Sequence, residues 1–179
     1  MVSQHDPLLV DWTALEPSVV ILVMGVEASG KTTVGTLLAQ ALDWMFVDAD
    51  DFHSAVNKQK MSRGVPLDDA DRGPWLRAIH DFVAEQTAAG HNIVLACSAL
   101  KESYRGQLRQ GLEMKIVYLK GSFELFYSRL QKRRAHFAKG TLLASQFASL
   151  EDPTGAATVD ASLPETEIVK QIMSALQLL

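Results

Sequence analysis

The fold of this 179-residue chain is decided by residues 19–32, which read VVILVM-GVEASGKT. The first six residues are an unbroken apolar run, as expected of a strand that is buried on both faces of a parallel sheet. The next eight fit the pattern G-x-x-x-x-G-K-[ST] at every fixed position, and residues 33–42 continue with the apolar spacing of an amphipathic helix. A strand, a glycine-rich loop and a helix in this order predict a phosphate-binding loop.

The residue types of this loop suit a nucleotide. Gly25 and Gly30 permit backbone angles that a side chain would forbid, so the loop can turn its N–H groups inward at the start of a helix. Lys31 is expected to reach the β- and γ-phosphates of ATP, and the Thr32 hydroxyl to ligate Mg²⁺. The predicted nucleotide-binding residues are Gly25, Val26, Glu27, Ala28, Ser29, Gly30, Lys31, Thr32 and Thr33.

Two carboxylates, Asp48 and Asp50, follow a second predicted strand at residues 45–47. Ligands of open α/β sheets lie beyond the carboxyl ends of the strands, and residues two apart in an extended segment point to the same face. One carboxylate of such a pair can hold Mg²⁺ through water while the other accepts the proton of an attacking hydroxyl. A solvated acidic turn is the alternative interpretation.

The rest of the chain alternates between short β-rich runs and segments of helical period, which predicts an α/β fold with a parallel sheet. Further strands are predicted at residues 93–97, 114–120 and 158–160, and helices at 71–89, 122–130 and 164–178. Asp71 is the expected N-cap of the first of these helices, with Pro74 in its first turn. Residues 1–17 are interpreted as a loosely ordered leader, and 18–179 as one domain.

Composition excludes several classes of protein. Hydrophobic residues make up 47% of the chain, charged residues 21%, and the formal net charge is −4, so the basic excess of a nucleic-acid binder is absent. The longest apolar stretch, residues 19–26, is too short to span a bilayer. Cys97 is the single cysteine, so no intrachain disulfide forms. Since residues 1–17 also lack a basic signal-peptide region, a cytoplasmic protein is expected.

Beyond the loop and the aspartates, the chain resembles the gluconate kinase family from about Val19 onward. The matching positions are His53, Asn57, Lys60-Met61, Gly64, Pro66-Leu67, Asp69, Asp71-Arg72, Pro74-Trp75-Leu76, Cys97-Ser98-Ala99-Leu100-Lys101, Tyr104-Arg105, Tyr118-Leu119-Lys120-Gly121, His136-Phe137 and Gln146-Phe147. The resemblance implies a fold similar to nucleoside monophosphate and shikimate kinases, with a five-stranded parallel sheet, a mobile lid and often a homodimer. It implies transfer of the ATP γ-phosphate to the 6-hydroxyl of gluconate.

The resemblance also implies roles for individual residues. Asp48 resembles the carboxylate on the magnesium side, and Asp50 the base. Arg129 resembles the arginine at the base of the lid that packs on adenine, and Arg133 the lid arginine that meets the phosphates. Two positions depart from the family pattern: Ala28 replaces a common loop glycine, and Ser54 replaces the proline that usually follows the histidine. The second departure is expected to shift the loop that carries His53.

A gluconate site needs a cation for the carboxylate and several hydrogen-bonding groups for the hydroxyls. The substrate-binding candidates are Asp50, His53, Lys60, Arg72, Lys101 and Arg105, within a substrate segment of about residues 50–76 and beyond it. Arg72 is the first choice for the carboxylate because its planar fork suits that group. The alternative for Arg72 is a salt bridge to Asp68, Asp69 or Asp71.

A second group of positively charged residues lies at or just before residues 131–141. In this segment the apolar period lapses and charge rises, as in a mobile lid or a plain loop. The group comprises Arg129, Lys132, Arg133 and Arg134. Arg133 is predicted to stabilise the transferring phosphoryl group, and Arg134 to serve the end of the preceding helix. The predicted catalytic residues are therefore Lys31, Asp50 and Arg133, and the predicted metal ligands are Thr32 and Asp48.

Three other functions compete with this interpretation. Another kinase of the same fold, acting on shikimate, a nucleoside monophosphate or another sugar acid, would share the loop and the aspartates. A GTP-driven switch would need an Asn-Lys-x-Asp motif after a late strand, whereas residues 57–60 read NKQK and lie early. A nucleotide-binding regulator or nucleic-acid motor is disfavoured by the small size and the acidic balance. Cys97, Trp44 and Trp75 are interpreted as core residues.

Overall fold

The computed structural model describes residues 17–132 and 138–178, and for residues 138 and 139 the backbone only. Five strands form one sheet, and every neighbouring pair is parallel. The strands are β1 (Val19–Met24), β2 (Met45–Asp48), β3 (Ile93–Ala96), β4 (Glu113–Lys120) and β5 (Ala157–Asp160), in the spatial order β2-β3-β1-β4-β5. The predicted five-stranded parallel α/β fold is confirmed, and each predicted strand lies within one residue of its observed bounds.

Helices connect successive strands, as parallel pairing requires. They are α1 (Lys31–Leu42), α2 (Ala55–Ser62), α3 (Asp69–Ala88), α4 (Glu102–Leu108), α5 (Phe123–Lys132), α6 (Ala138–Ser149) and α7 (Glu165–Ala175), with a short 3₁₀ helix at Ala49–Phe52. The sequence did not predict α2, α4 or α6. No helix in the described part of the chain is both long and apolar enough to cross a membrane.

The core lies on both faces of the sheet, because successive residues of a strand point to opposite sides. On one face, Ile21 and Val23 of β1 pack in a cluster with buried residues of α1, α5 and α7. On the other, Val20 and Leu22 pack in a cluster with buried residues of α3 and α4. The central strand β1 is thus covered on both sides, which explains its unbroken apolar run.

The start of α3 differs from the prediction. Asp68 is the N-cap: its side chain accepts a hydrogen bond from the Asp71 N–H at 2.8 Å, and the Asp71 carboxylate accepts one from the Asp68 N–H at 3.2 Å. This reciprocal pair is a capping box, so the predicted cap Asp71 is its third helical residue. Pro74 consequently lies beyond the first turn, inside the helix.

The register of the sheet brings the predicted functional segments to one edge. Ala96 of β3 is level with Val23 of β1 on one side and with Asp48 of β2 on the other. The segments that follow β1, β2 and β3 therefore begin side by side at the carboxyl edge of the sheet. They carry the phosphate loop, the aspartate pair and Ser98. Ligands of open α/β sheets bind beyond this carboxyl edge.

Candidate active site

The phosphate loop adopts the backbone conformation that its glycines allow. Gly25 has φ 152° and Gly30 has φ 100°, both in the region that disfavours side chains. A Cβ at Gly25 would also lie 2.8 Å from Ser29 Oγ and 3.0 Å from the Leu119 carbonyl oxygen. Gly25 is therefore required for packing as well as for its dihedral angle, whereas Gly30 is required for the turn into α1.

Lys31 is the first residue of α1 and lies over the loop. Its Nζ donates to the Val26 carbonyl oxygen at 2.9 Å, which folds the side chain back across the loop interior. Burial lowers the pKa of Lys31, and the negative charges of Asp50, Asp48 and Glu27 oppose that change. An anion bound in the loop would add a further negative charge and favour the protonated amine.

Thr32 and Asp48 are held side by side. The Thr32 hydroxyl donates to Asp48 Oδ2 at 2.9 Å, and the backbone N–H of Asp50 donates to Asp48 Oδ1 at 3.0 Å. Both oxygens of Asp48 are thus fixed, and the N-cap of the 3₁₀ helix is satisfied. The residues predicted as metal ligands therefore form an oxygen-only pair at the mouth of the loop.

Beyond the loop lies a cavity of about 490 Å³. It contains three of the predicted acceptor-binding residues, namely Asp50, His53 and Arg72, together with Lys31. Lys31 and Asp50 also line the smaller cavity enclosed by the phosphate loop. The two cavities meet at these side chains, so a molecule in the large cavity would have direct access to a phosphate in the loop.

His53 is held between Trp75 and Asp50. Its ring stacks on Trp75 with 4.4 Å between centroids and 6° between planes, and its Nε2 lies 3.8 Å from Asp50 Oδ1. Burial lowers the pKa of His53; Asp50 opposes the shift, whereas the positive charges of Arg72 and Lys58 reinforce it. The neutral imidazole is thus the favoured form near pH 7.

Arg72 extends from the first turns of α3 toward the cavity. Its guanidinium lies 5.6 Å from the centre of the Tyr104 ring, and Nη1 donates to the Tyr104 hydroxyl at 3.4 Å. The alternative interpretation, a salt bridge to a neighbouring aspartate, does not describe the geometry, because Asp71 pairs with Lys60 and Asp69 with Lys101. Arg72 is left with its charge directed at the cavity.

The two lysine candidates are engaged elsewhere. Lys60 Nζ donates to both carboxylate oxygens of Asp71 at 2.7 and 2.9 Å, and Lys101 Nζ to those of Asp69 at 2.9 and 3.1 Å. Hydrogen bonding to these carboxylates raises the pKa of each lysine. Neither lysine lines the 490 Å³ cavity. Their geometry supports a role in fixing the start of α3 and not a contact with the acceptor.

Arg105, the last of the predicted substrate-binding residues, does not line the 490 Å³ cavity. It is buried, with 1% of its surface exposed, and its Nη1 donates to the carbonyl oxygens of Ala99 and Leu100 at 2.9 and 3.0 Å. Its Nε donates to the Glu102 carboxylate at 2.9 Å. These bonds tie the loop after β3 to α4 and, together with the position of Arg105 outside the cavity lining, support a structural role for this residue.

Ser54, one of the two departures from the family pattern, has a clear structural role. Its hydroxyl accepts a hydrogen bond from the Asn57 N–H at 3.1 Å and caps α2. The preceding residue, His53, stacks on Trp75. Ala28, the other departure, has φ 63°, a conformation that glycine adopts without strain.

Arg129 lies on the far side of the loop. Its Nη1 donates to the carbonyl oxygens of Ala28 and Ser29, both at 3.3 Å, and its Nη2 to that of Ala161 at 2.6 Å. It borders a cavity of about 270 Å³ next to Thr33. This position fits a residue beside a bound nucleotide. Arg133, Arg134 and the rest of residues 133–137, the middle of the predicted lid at 131–141, lie outside the described residues.

Four other polar or aromatic residues line the large cavity and had no functional role in the sequence-based prediction. They are Ser62, Trp75, Ser98 and Gln146. Trp75 is buried as expected, and its Nε1 also donates to the Ala49 carbonyl oxygen at 2.8 Å. Ser98 follows β3 at the edge of the sheet, a position that strand prediction could have indicated. Gln146 had no local signal beyond its place in the family resemblance.

The thiol of Cys97, at the end of β3, is buried, and burial raises its pKa to about 12. A thiol that is protonated at neutral pH is a poor nucleophile. The core role predicted for Cys97 is consistent with this environment.

The chain is similar to several known proteins. A family model described as an AAA domain matches residues 20–153. A probable gluconokinase of Mus musculus is 45% identical over 91% of this chain and its own full length. The gluconokinase of Gluconobacter oxydans is 51% identical over 74% of this chain and 75% of its own.

A solved structure extends the agreement to the fold. The crystal structure of a gluconokinase from Sinorhizobium meliloti 1021 is 40% identical, covers 90% of this chain and 92% of its own, and superposes with a TM-score of 0.79. The loop, the aspartate pair, the cavity and these relatives agree: the chain belongs to the gluconokinase family of P-loop kinases.

Proposed function

We propose that this protein transfers the γ-phosphoryl group of ATP to the 6-hydroxyl of D-gluconate and forms 6-phospho-D-gluconate. One observation carries the proposal: Lys31 and Asp50 line both the phosphate loop and the adjoining 490 Å³ cavity. An acceptor in that cavity would place a hydroxyl next to the phosphoryl group. Relatives that share most of the chain are named gluconokinases, which supports gluconate as the acceptor.

ATP would bind along the loop. Residues of the loop from Glu27 to Thr33 line the cavity where phosphates would lie, and Lys31 would supply the positive charge for the β- and γ-phosphates. Arg129 would lie beside the adenosine portion, in the neighbouring cavity that it borders with Thr33. The contact of Arg129 with adenine remains a proposal based on the family resemblance.

Magnesium suits the residues at the mouth of the loop. Mg²⁺ binds oxygen ligands, usually one or two carboxylates together with phosphates and water, and Thr32 and Asp48 present such oxygens 2.9 Å apart. Thr32 would ligate the ion and Asp48 would hold its water. A bound Mg²⁺ would neutralise charge on the β- and γ-phosphates. The Asp50 N–H keeps Asp48 oriented for this role.

Asp50 is proposed as the general base. Its side chain is 82% exposed toward the open cavity, and no lysine or arginine lies within ion-pair distance of it among the described residues. It would accept the proton of the 6-hydroxyl as that oxygen attacks phosphorus, the bond to the ADP oxygen breaks, and ADP leaves. Neutral His53 beside it adds no positive charge to this carboxylate.

Arg72 is proposed to bind the gluconate carboxylate. Arg72 lines the cavity, and no aspartate among the described residues forms an ion pair with it. A guanidinium can hold a carboxylate through two parallel hydrogen bonds. Because Asp50 and Arg72 both line one cavity, a molecule with a hydroxyl at one end and a carboxylate at the other can reach both. From the sequence alone, Arg133 is proposed to stabilise the transferring phosphoryl group from the lid.

An acceptor panel tests the proposed function. ADP release with Mg-ATP would be measured with gluconate, other sugar acids, shikimate, AMP and water alone. Rapid turnover with gluconate, at least about a hundredfold above water, is expected. Faster turnover with a different acceptor would contradict the substrate while leaving the phosphate loop in place. ADP release that no acceptor increases would contradict the kinase reaction itself.

Two further properties are proposed from the family and the composition. The first is a homodimer, which light scattering on the purified protein would detect. The second is a cytoplasmic location, which agrees with a buried, unpaired Cys97. Cell fractionation would test it.

A further inference from the structure

Gln146, on α6, joins the phosphate loop to the acceptor cavity. The backbone N–H of Glu27 donates to Gln146 Oε1 at 2.6 Å. A backbone N–H can only donate, so the oxygen of the amide must face Glu27, and the orientation of the amide is fixed by chemistry. The NH₂ group is then the part of the side chain that can donate to another molecule.

The backbone of α6 holds this side chain in place. Leu142 and Leu143 are buried, and the Phe147 ring packs against Phe123 and Phe126 at centroid distances of 5.6 and 6.2 Å. Gln146 follows Leu142 and Leu143 by one helical turn, so it lies on the anchored part of the helix. The position of Gln146 relative to the phosphate loop is therefore set by the packing of the residues that precede and follow it in α6.

Gln146 also lines the 490 Å³ cavity, together with Lys31, Asp50 and Arg72. In the proposed reaction Lys31 serves the phosphates, Asp50 accepts a proton, and Arg72 holds the carboxylate. The hydroxyls between the two ends of a sugar acid still need partners, and a neutral amide donor suits a neutral hydroxyl. A donor left unpaired by an acceptor that lacks this hydroxyl would cost affinity.

We propose that Gln146 is a specificity residue: its carbonyl oxygen fixes the phosphate loop at Glu27, and its NH₂ group donates to a hydroxyl of the sugar acid. This inference rests on the proposed function and deepens it. The same side chain would sense the acceptor and hold the loop that carries the phosphates. Recognition of the acceptor and placement of the phosphoryl group would thus share one rigid contact.

Gln146→Met tests the proposal, since methionine has similar length and offers no amide. We expect the KM for gluconate to rise about five- to tenfold, as for loss of one hydrogen bond, with a smaller change in the KM for ATP. Gln171→Met is the matched control, because Gln171 is exposed on α7 and lines none of the cavities described here. If only the KM for ATP rose, the contact of Gln146 with the phosphate loop would explain the result, and its proposed role in acceptor specificity would be overturned.

Sugar acids that each lack one hydroxyl separate a direct contact from a structural effect. In the parent protein, the kcat/KM for one analogue should be about five- to tenfold lower than that for gluconate. In Gln146→Met, the kcat/KM for that analogue should equal the value for gluconate. Equal losses for every analogue in both proteins would overturn the proposal while gluconate turnover by the parent stands. Absence of gluconate turnover by the parent would overturn the proposed function, and this inference with it.

Discussion

The two halves of the site are built differently. The nucleotide half is one continuous stretch, Gly25 to Thr33, in which backbone N–H groups and a single lysine provide the chemistry. The proposed acceptor half is a cavity lined by side chains from separate elements: Asp50 and His53 after β2, Arg72 on α3, and Gln146 on α6. The first depends on local backbone geometry, the second on tertiary packing.

This difference indicates how the two halves would change over time. A backbone-built loop binds any nucleotide phosphate and tolerates few substitutions, because Gly25 has no room for a Cβ. An acceptor cavity built from scattered side chains can be altered one residue at a time. Kinases of one fold can therefore share the loop and differ in the acceptor.

The largest effect is expected at Asp50, which borders both halves. Asp50→Asn removes the proton acceptor and keeps the shape, so kcat should fall about 10²- to 10⁴-fold. The KM for ATP should change little, because the loop is intact. Asp51→Asn, an exposed neighbour in the same 3₁₀ helix, is the control and should retain parental kcat. A kcat within about threefold of the parent in Asp50→Asn would refute the general base.

Arg72 isolates the acceptor half. Arg72→Ala should raise the KM for gluconate about 10- to 100-fold, since a charge-assisted hydrogen bond is worth about 1.5–3 kcal/mol, and should leave the KM for ATP unchanged. Steady-state kinetics with each substrate varied would measure both. Arg77→Ala, exposed further along α3, is the matched control. If both KM values rose together, the separation of the two halves would be wrong.

Asp48 isolates the nucleotide half. Asp48→Asn keeps an oxygen for the Asp50 N–H but removes the negative charge beside Thr32. The Mg²⁺ concentration for half-maximal activity should rise about tenfold, as for other residues that orient a metal site. The KM for gluconate at saturating Mg²⁺ should stay near the parental value. An unaltered Mg²⁺ requirement would remove Asp48 from the proposed metal site.

His53 links the site to stability through pH. Its pKa lies below the ordinary 6.5, so below that pH the unfolded chain binds a proton that the folded chain does not. Its contribution to the free energy of unfolding is complete above pH 6.5 and is lost as the pH falls, by at most about 1.4 kcal/mol per pH unit. Urea titrations from pH 7.5 to 5.5 would measure the slope.

His53→Phe keeps a ring on Trp75 and should flatten that slope, whereas His91→Gln, at an exposed site, should not. Asp50 opposes the pKa shift of His53, and Arg72 and Lys58 reinforce it, so Arg72→Ala should make the slope shallower. A slope identical in the parent and in His53→Phe would assign the pH dependence to other groups.

The smallest effect is expected at Ala28. Ala28→Gly relieves a left-handed residue at φ 63° but removes a buried methyl group and adds freedom to the unfolded chain, each worth about 1 kcal/mol. These terms oppose one another, so the free energy of unfolding should change by less than about 1 kcal/mol, and the KM for ATP by less than about twofold. A larger increase in KM would show that the methyl group shapes the loop.

The sequence predicted those parts of the fold that have strong local signals. The β1 run, the loop motif and the amphipathic α1 and α7 could be located because burial on a sheet imposes period and composition. The polar helix α2 has only Asn57 buried, and α4 has seven residues, so their apolar patterns are short and weak. The α3 cap was misplaced because Asp68, Asp69 and Asp71 offer three candidate caps, and only the geometry of the hydrogen bonds separates them.

The site followed the same division. Residues that act through the local backbone, from Gly25 to Thr32, could be predicted from one motif. The burial of Arg105 could not be predicted, because it depends on hydrogen bonds to carbonyl groups of the loop after β3. Gln146 could not either, since its partner Glu27 is 119 positions away in the chain. Charge type suggests candidates for a substrate site, but only packing shows which charges the protein already neutralises.

Identification of the product tests the central claim most directly. The protein would be incubated with Mg-ATP and uniformly ¹³C-labelled gluconate, and the site of phosphorylation read from phosphorus–carbon coupling by NMR. We predict one phosphomonoester, on the 6-hydroxyl, formed in equal amount to ADP. A phosphate on another hydroxyl or on the carboxylate, or ADP formed without a phosphorylated sugar acid, would contradict the proposed arrangement of Asp50 and Arg72 around the acceptor.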